Sequence, residues 1–246
     1  MQLPTPPLTG LASASLFLDF DGTLVSLADT PASVKVHETL IQLLDRLQIQ
    51  LDGRLALISG RGADEVVDLL RPLRPAIAGS HGVERIGATG QRHAPKATDG
   101  IPEAIGELRV LAQQQPGVLV EEKPFGVALH YRLAPHAEAL CHDVATQAAV
   151  RLGLELQPGK MVIELKPAGA DKGRALREFM AEAPFAGSRP LFIGDDLTDE
   201  HGFEAANDLG GAGILVGPAR ASAARYGLRD VEAVHRWLEQ ASEALR

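Results

Sequence analysis

Aromatic residues are scarce in this chain of 246 residues, at 4%, so its core has to be built from Leu, Val, Ile and Ala. Cysteine occurs once, at Cys141. That excludes an intrachain disulfide and favours a reducing compartment; the residue itself reads as a half-buried helix position. Cations are outnumbered, 24 Lys and Arg against 32 Asp and Glu, for a net charge of −8. Such a balance argues against nucleic-acid binding, whose affinity comes from neutralising phosphates with a basic face. No Lys or Arg precedes Lys35, so the charged region of a secretory signal is missing. No apolar run approaches the ~18–20 residues of a membrane span. The chain is therefore expected in the cytoplasm, as a monomer, away from membranes. Also absent are G-x-x-x-x-G-K-[ST], G-x-G-x-x-G, H-E-x-x-H and G-x-S-x-G, so those nucleotide, zinc and serine-hydrolase sites are not supported.

What is present alternates. Leu16-Phe17-Leu18-Asp19-Phe20 is a short continuous apolar run, as expected of a strand buried on both faces, and it stops at Asp21-Gly22-Thr23. A helical pattern over 35–51 precedes the strand Leu55-Ala56-Leu57-Ile58, which ends in Ser59-Gly60-Arg61. A short helix and a strand near Ala76-Ile77-Ala78 follow. Late in the chain, a helix at 171–182 leads to Leu191-Phe192-Ile193, ending in Gly194-Asp195-Asp196, then to Gly213-Ile214-Leu215-Val216 and a last helix at 230–245. This order predicts a Rossmann-like α/β core with a parallel sheet and right-handed crossovers. Ligands of such sheets sit beyond the carboxyl ends of the strands, where this chain carries Asp19, Ser59 and Asp195.

The middle reads as helix, hairpin, helix, hairpin, with turns at Pro124-Phe125-Gly126 and Pro158-Gly159-Lys160. It predicts an α+β module with an antiparallel sheet inserted into the core. The domains are then core at 1–91, insert at 92–166 and core again at 167–246. Hinges are expected near 90–95 and 165–169, with Pro95, Pro167 and Gly169, and closure there would exclude water. Alternate residues of a strand share a face. Glu121 with Lys123, His130 with Arg132, and Lys160 with Val162 and Glu164 thus form a mixed-charge stripe. Leu129, Tyr131, Met161, Ile163 and Leu165 point the other way, toward the helices. An antiparallel sheet tolerates such a solvated face with weak ion pairs, but mixed acids and bases also suit a neutral polyol.

A carboxylate at the end of a buried strand needs compensation. One Asp there is readily explained as a helix cap. D-x-D-G-T-L at one strand end and G-D-D-x-x-D at another are better explained by a bound cation, and oxygen-only ligands suit Mg²⁺. Ser59 and the free N–H groups beside it fit phosphate oxygens. Lys172, in Gly169-Ala-Asp-Lys-Gly173, opens a helix, where a cation opposes the macrodipole unless it is solvated or holds an anion. Arg61 is expected to pair with an acid of the core. His37, His93, His136, His142 and His235 lack metal-ligand spacing and read as surface positions; Trp237 reads as packing.

In this order, D-x-D-G-T-L, the Ser after the second strand, the Lys and G-D-x-x-x-D resemble the haloacid dehalogenase superfamily of aspartate-nucleophile phosphotransferases. The insert, falling between the Ser and Lys motifs, resembles that superfamily's larger C2-type cap. Within it the chain is similar to the trehalose-phosphate phosphatases, through Ser59-Gly60-Arg61, Gly79-Ser-His-Gly-Val-Glu84, Val120-Glu-Glu-Lys-Pro-Phe125, His130-Tyr-Arg132, Gly159-Lys160-x-x-x-Glu164 and Gly194-Asp-Asp-Leu-Thr-Asp199.

The resemblance implies Mg²⁺-dependent hydrolysis of trehalose 6-phosphate through an aspartyl-phosphate on Asp19. It makes Asp21 the proton donor and later the base. Asp19, Asp21 (through its backbone carbonyl) and Asp195 become the metal ligands. Asp199 orients them, and Asp196 is open between touching and orienting. Ser59, Gly60 and Lys172 hold the phosphate. Glu121, Lys123, Arg132, Lys160 and Glu164 hold the sugar, with His81 and Gly82 at the junction of core and cap as further substrate contacts. Alternatives stay open: sucrose phosphate, mannosylphosphoglycerate or a phosphomutase reaction, distinguished by cap residues alone, or a phosphoacceptor signalling module, against which Asp21 and the cap both stand.

Overall fold

A computed structural model describes residues 3–27, 34–94, 100–159 and 161–246; Pro95 and Lys160 lie outside these. In chain order the first elements are β1 (Ala14–Leu18), α1 (Glu38–Gln50), β2 (Leu55–Ile58), α2 (Ala63–Leu69), β3 (Ala76–Gly79), β4 (Glu84–Ile86) and β5 (Arg92–His93). Next come α3 (Gly100–Gln114), β6 (Leu119–Lys123), β7 (Gly126–His130), α4 (Glu138–Leu152), β8 (Leu154–Gly159) and β9 (Val162–Pro167). The last are α5 (Lys172–Met180), β10 (Arg189–Gly194), α6 (Glu200–Asp208), β11 (Ala212–Val216), β12 (Tyr226–Leu228) and α7 (Val231–Ala244). They form two compact units, Met1–His93 with Asp171–Arg246, and Ala94–Ala170, where the sequence reading divides the chain at 91/92 and 166/167. No helix among the described residues is long and apolar enough to cross a membrane.

The first unit is built on one sheet in the order β12-β11-β10-β1-β2-β3-β4-β5. Strands β12 through β3 run parallel, and β4 and β5 add an antiparallel edge. Both faces are covered. Leu16 and Leu18 of β1 join Leu44 of α1, Val66 of α2 and Trp237 of α7 in one apolar cluster. Phe17 between them joins Phe179 of α5 and Phe203 of α6 in another. Burial on both faces is why these strands read as unbroken apolar runs rather than alternating ones. Strands β1 and β10 are neighbours in register, Leu18 opposite Ile193, so the segments that follow them emerge side by side. The hairpin β4–β5 has no counterpart in the sequence reading. Its Arg85 is buried, bonded to Glu182 at 2.8 and 3.0 Å and stacked on the Phe179 ring, a pairing hidden by sequence distance.

The second unit carries a four-stranded antiparallel sheet in the order β6-β7-β9-β8. Val127, Leu129, Ile163 and Leu165 pack with Leu108 of α3 and Ala145 of α4. The opposite face brings Glu121, Ala128 and Glu164 abreast across three strands. Strand β7 ends at His130, so Arg132 lies exposed in the turn after it rather than on the strand. Of the hinge expected at 165–169, the residues through Pro167 belong to β9. Gly169 N donates to Glu155 Oε2 at 3.1 Å within the same unit. Cys141, expected half-buried, is fully enclosed against α3 and the sheet, and burial raises its thiol pKa.

Candidate active site

At the end of β1 the chain leaves the sheet through Asp19 and turns at Gly22, whose φ is +87°. A Cβ there would fall inside the carboxylate of Asp195, so glycine is what allows the β1 and β10 ends to approach so closely. Gly194 plays the matching part at the end of β10, where a Cβ would collide with the carboxyl group of Asp199. Thr23, fully buried, donates its hydroxyl to Asp195 Oδ1 at 3.2 Å. The result is a cluster of Asp19, Asp195 and Asp199 with one carboxylate oxygen from each within 4.8 Å of the others.

Lys172, the first residue of α5, is 3% exposed and sits among them. Its Nζ donates to Asp19 Oδ1 at 2.7 Å and to Asp199 Oδ1 at 2.6 Å. The unfavourable helix position is thereby explained, since the two anions outweigh the dipole. Burial works against its charge, yet Asp19 and Asp199 hold its pKa above the ordinary value. Burial, opposed by Lys172 and aided by the charge of Asp199, keeps Asp19 well above the usual carboxylate range. Asp195 is pushed up to about 6, by burial first and by Asp199 second. Three acids sharing one lysine are under-compensated, and their oxygen donors are those a hard divalent cation prefers. The donor set therefore fits such an ion.

Asp199 is fully buried. Its Oδ2 accepts the backbone N–H groups of Asp195 and Asp196, both at 2.9 Å. Asp196, by contrast, is exposed, and its carboxylate caps the following turn by accepting from Leu197 N at 2.7 Å. Asp21 is not one of the three clustered acids. Its carboxylate takes two bonds from Arg61, Nε to Oδ2 at 2.6 Å and Nη2 to Oδ1 at 2.8 Å, the acid that the sequence reading expected for Arg61; Arg61 also pairs with Glu65.

Ser59 lies buried at the end of β2, accepting on Oγ from Arg61 N at 3.1 Å. His81 and Gly82 belong to a tight turn after β3, Ser80 and His81 holding φ of +51° and +56°. His81 N donates to Ser59 O at 2.9 Å, and a Cβ on Gly60 would meet its ring at 2.7 Å. Gly82 abuts the Asp171 carbonyl, 2.7 Å from where its Cβ would be, and Asp171 caps α5 by accepting from Arg174 N at 2.8 Å.

In the second unit, Lys123 Nζ donates to Glu164 Oε2 at 2.6 Å and His130 Nε2 lies 2.8 Å from Glu121 Oε2. These pairs place Glu121, Lys123, His130 and Glu164 on the predicted stripe, and Lys160 lies outside the described residues. His235, expected at the surface, is half-buried and bonds the Leu24 carbonyl at 2.8 Å. Trp237 is packed as expected, and its indole N–H donates to Pro6 O at 3.0 Å.

Parallel sheet, inserted α+β unit and strand-end carboxylates define a haloacid dehalogenase-type hydrolase fold. A haloacid dehalogenase-like hydrolase from Bacteroides thetaiotaomicron superposes with a TM-score of 0.68 at 18% identity, covering 92% of this chain and 98% of its own. The family described as trehalose-phosphatase matches residues 17–232. Trehalose-6-phosphate phosphatase of Escherichia coli (strain K12) is 41% identical over 244 residues, covering 98% of this chain and 91% of that protein. The crystal structure of a trehalose-6-phosphate phosphatase related protein gives a TM-score of 0.76 at 27% identity, covering 94% of this chain and 97% of its own. The chain belongs to the trehalose-phosphatase family.

Proposed function

We propose that this chain hydrolyses trehalose 6-phosphate to trehalose and inorganic phosphate in the cytoplasm, with Mg²⁺ as its metal. The observation carrying the chemistry is the ion-paired triplet Asp19–Lys172–Asp199 with Asp195 beside it; family membership supports the substrate.

An oxygen of Asp19 attacks phosphorus in line, the bond from phosphorus to the sugar oxygen breaks, and Asp21 gives that oxygen its proton. Water then attacks the aspartyl-phosphate, Asp21 takes the water's proton, phosphate leaves and Asp19 is restored. A proton on Asp21 occupies one of the two oxygens that Arg61 engages, so proton transfer and loosening from Arg61 go together. Asp19, Asp195 and the Asp21 carbonyl would hold the ion, and Asp199 would orient the first two through Lys172 and the loop amides. Bound there, Mg²⁺ supplies positive charge against the developing charge on the phosphoryl oxygens. Lys172, Ser59 and the amide beside Gly60 hold those oxygens. Glu121, Lys123, Arg132, Lys160 and Glu164 bond the sugar hydroxyls, each of which both donates and accepts, and His81 and Gly82 shape the turn beside Ser59.

The test is phosphate release from a panel of sugar phosphates with and without Mg²⁺. Trehalose 6-phosphate is expected to lead. A preference of orders of magnitude for sucrose phosphate or mannosylphosphoglycerate would replace the substrate, and a long-lived phosphoprotein without phosphate release would replace the reaction.

A further inference from the structure

The loop Gly194–Asp199 is held from two sides, and only one of them belongs to the acidic cluster. On the inner side the Asp199 carboxylate takes the N–H groups of Asp195 and Asp196. On the outer side the carbonyls of the same two residues face Arg220, whose Nη2 donates to Asp196 O at 2.8 Å and approaches Asp195 O at 3.5 Å. Arg220 is itself held. Its Nη1 pairs with Glu200, the first residue of α6 and the next residue after Asp199. Glu200 also accepts from Ser222 Oγ at 3.1 Å and Ala223 N at 2.8 Å. The segment bearing Arg220 is fixed in turn by Asn207 Nδ2, which donates to Ala223 O at 2.8 Å, and by Arg225 N, which donates to Gly213 O at 3.0 Å.

We infer that Arg220, locked by Glu200, is a positioning residue for metal binding: it fixes the peptide planes of residues 195 and 196 and so the direction in which Asp195 presents its carboxylate. The inference rests on the phosphatase reading for its consequence in turnover, but not for its consequence in metal binding. Its geometry explains why a guanidinium stands here. A planar fork serves a carboxylate with one nitrogen and two carbonyls with another. A lysine ammonium cannot span both. Side-chain exposures of 26% for Arg220 and 21% for Glu200 leave the pair partly shielded from solvent screening.

The test compares the full chain with Arg220→Ala and Arg220→Lys by calorimetric titration with Mg²⁺ alone, by thermal melting in EDTA, and by kcat and KM at saturating Mg²⁺. Partners that orient metal ligands are typically worth about 10–100-fold in metal affinity. Arg220→Ala is expected to weaken the Mg²⁺ dissociation constant by about tenfold, with KM for trehalose 6-phosphate held within about twofold, and Arg220→Lys is expected to recover part of the loss. An unchanged Mg²⁺ affinity in Arg220→Ala overturns the inference, as does a melting temperature in EDTA that falls while metal affinity stays. Should Arg220→Ala not fold, Glu200→Gln, which keeps the shape and weakens the lock, is expected to show the same loss of Mg²⁺ affinity on a smaller scale, and no loss overturns the inference. If the wild type binds Mg²⁺ but releases no phosphate from the sugar panel, the substrate reading fails while the titration still decides the role of Arg220.

Discussion

Lys172 and Asp199 meet at 2.6 Å with neither side chain more than 4% exposed, and the same ammonium reaches Asp19 on its other side. One cation is therefore shared by two buried carboxylates, and the two acids cannot be altered independently.

Replacing Lys172 by Met leaves both carboxylates buried without their counter-charge. Breaking a buried ion pair from one side typically costs about 3–5 kcal/mol. The variant is expected to unfold at markedly lower urea than the wild type, and to regain part of the difference when Asp19→Asn is added. Two substitutions whose effects simply sum would contradict this coupling.

Asp19→Asn alone removes the proposed nucleophile but keeps the side-chain volume and one acceptor for Lys172. Turnover is expected to fall by at least about 10³-fold, on the scale seen when a covalent nucleophile is deleted, with the circular dichroism spectrum unchanged. Substantial residual phosphate release would move the nucleophile elsewhere.

Stability should depend on pH in a direction set by Asp195. Its folded pKa stands at about 6, above the ordinary 3.8. Within that window the folded chain binds more proton than the unfolded one, so this group's contribution is full below the window and is lost as pH rises through it. In EDTA the melting temperature is expected to fall over this range, and the increment given by Mg²⁺ to be larger at about pH 7.5 than at about pH 5, where protons compete for the ligands. Melting curves at the two pH values with equal Mg²⁺ increments would count against it.

Gly22→Ala should disturb both the fold and the metal site. The new Cβ strikes the Asp195 carboxylate, and φ of +87° is poorly tolerated by alanine. We expect the melting temperature in EDTA to fall through the backbone strain, and Mg²⁺ affinity of the folded variant to drop by at least about tenfold; an unchanged affinity would count against the role of Gly22 in placing Asp195.

On the antiparallel sheet, Glu164→Gln takes the charge from the partner of Lys123. Its KM for trehalose 6-phosphate is expected to rise about tenfold, the loss of one charge-assisted hydrogen bond. Hydrolysis of a small aryl phosphate should hardly change. Equal effects on both substrates would take Glu164 out of sugar recognition.

The strand-end acids were legible because burying Asp19 and Asp195 after unbroken apolar runs demands compensation that short-range sequence displays. The stripe of Glu121, Lys123 and Glu164 was legible from period-two spacing alone. Four things were not. Arg61's partner was visible only as some acid, since Asp21 lies 40 residues away. Arg220 and Glu200 stand in no motif and meet only because α6 and the segment after β11 return to the same strand end. The β4–β5 edge is too short to show a period, and His235 looks like any surface histidine until Leu24 is seen to offer its carbonyl.

The adjacency of β1 and β10, with Ala14 opposite Arg189, has a kinetic corollary. Everything from Asp19 to Asp199 must be synthesised before the three acids can meet, and such long-range closure is entropically slow. The acid cluster is thus assembled by a highly non-local strand pairing. Recovery of turnover during refolding is a direct clock for that pairing, and it should lag the return of helical signal.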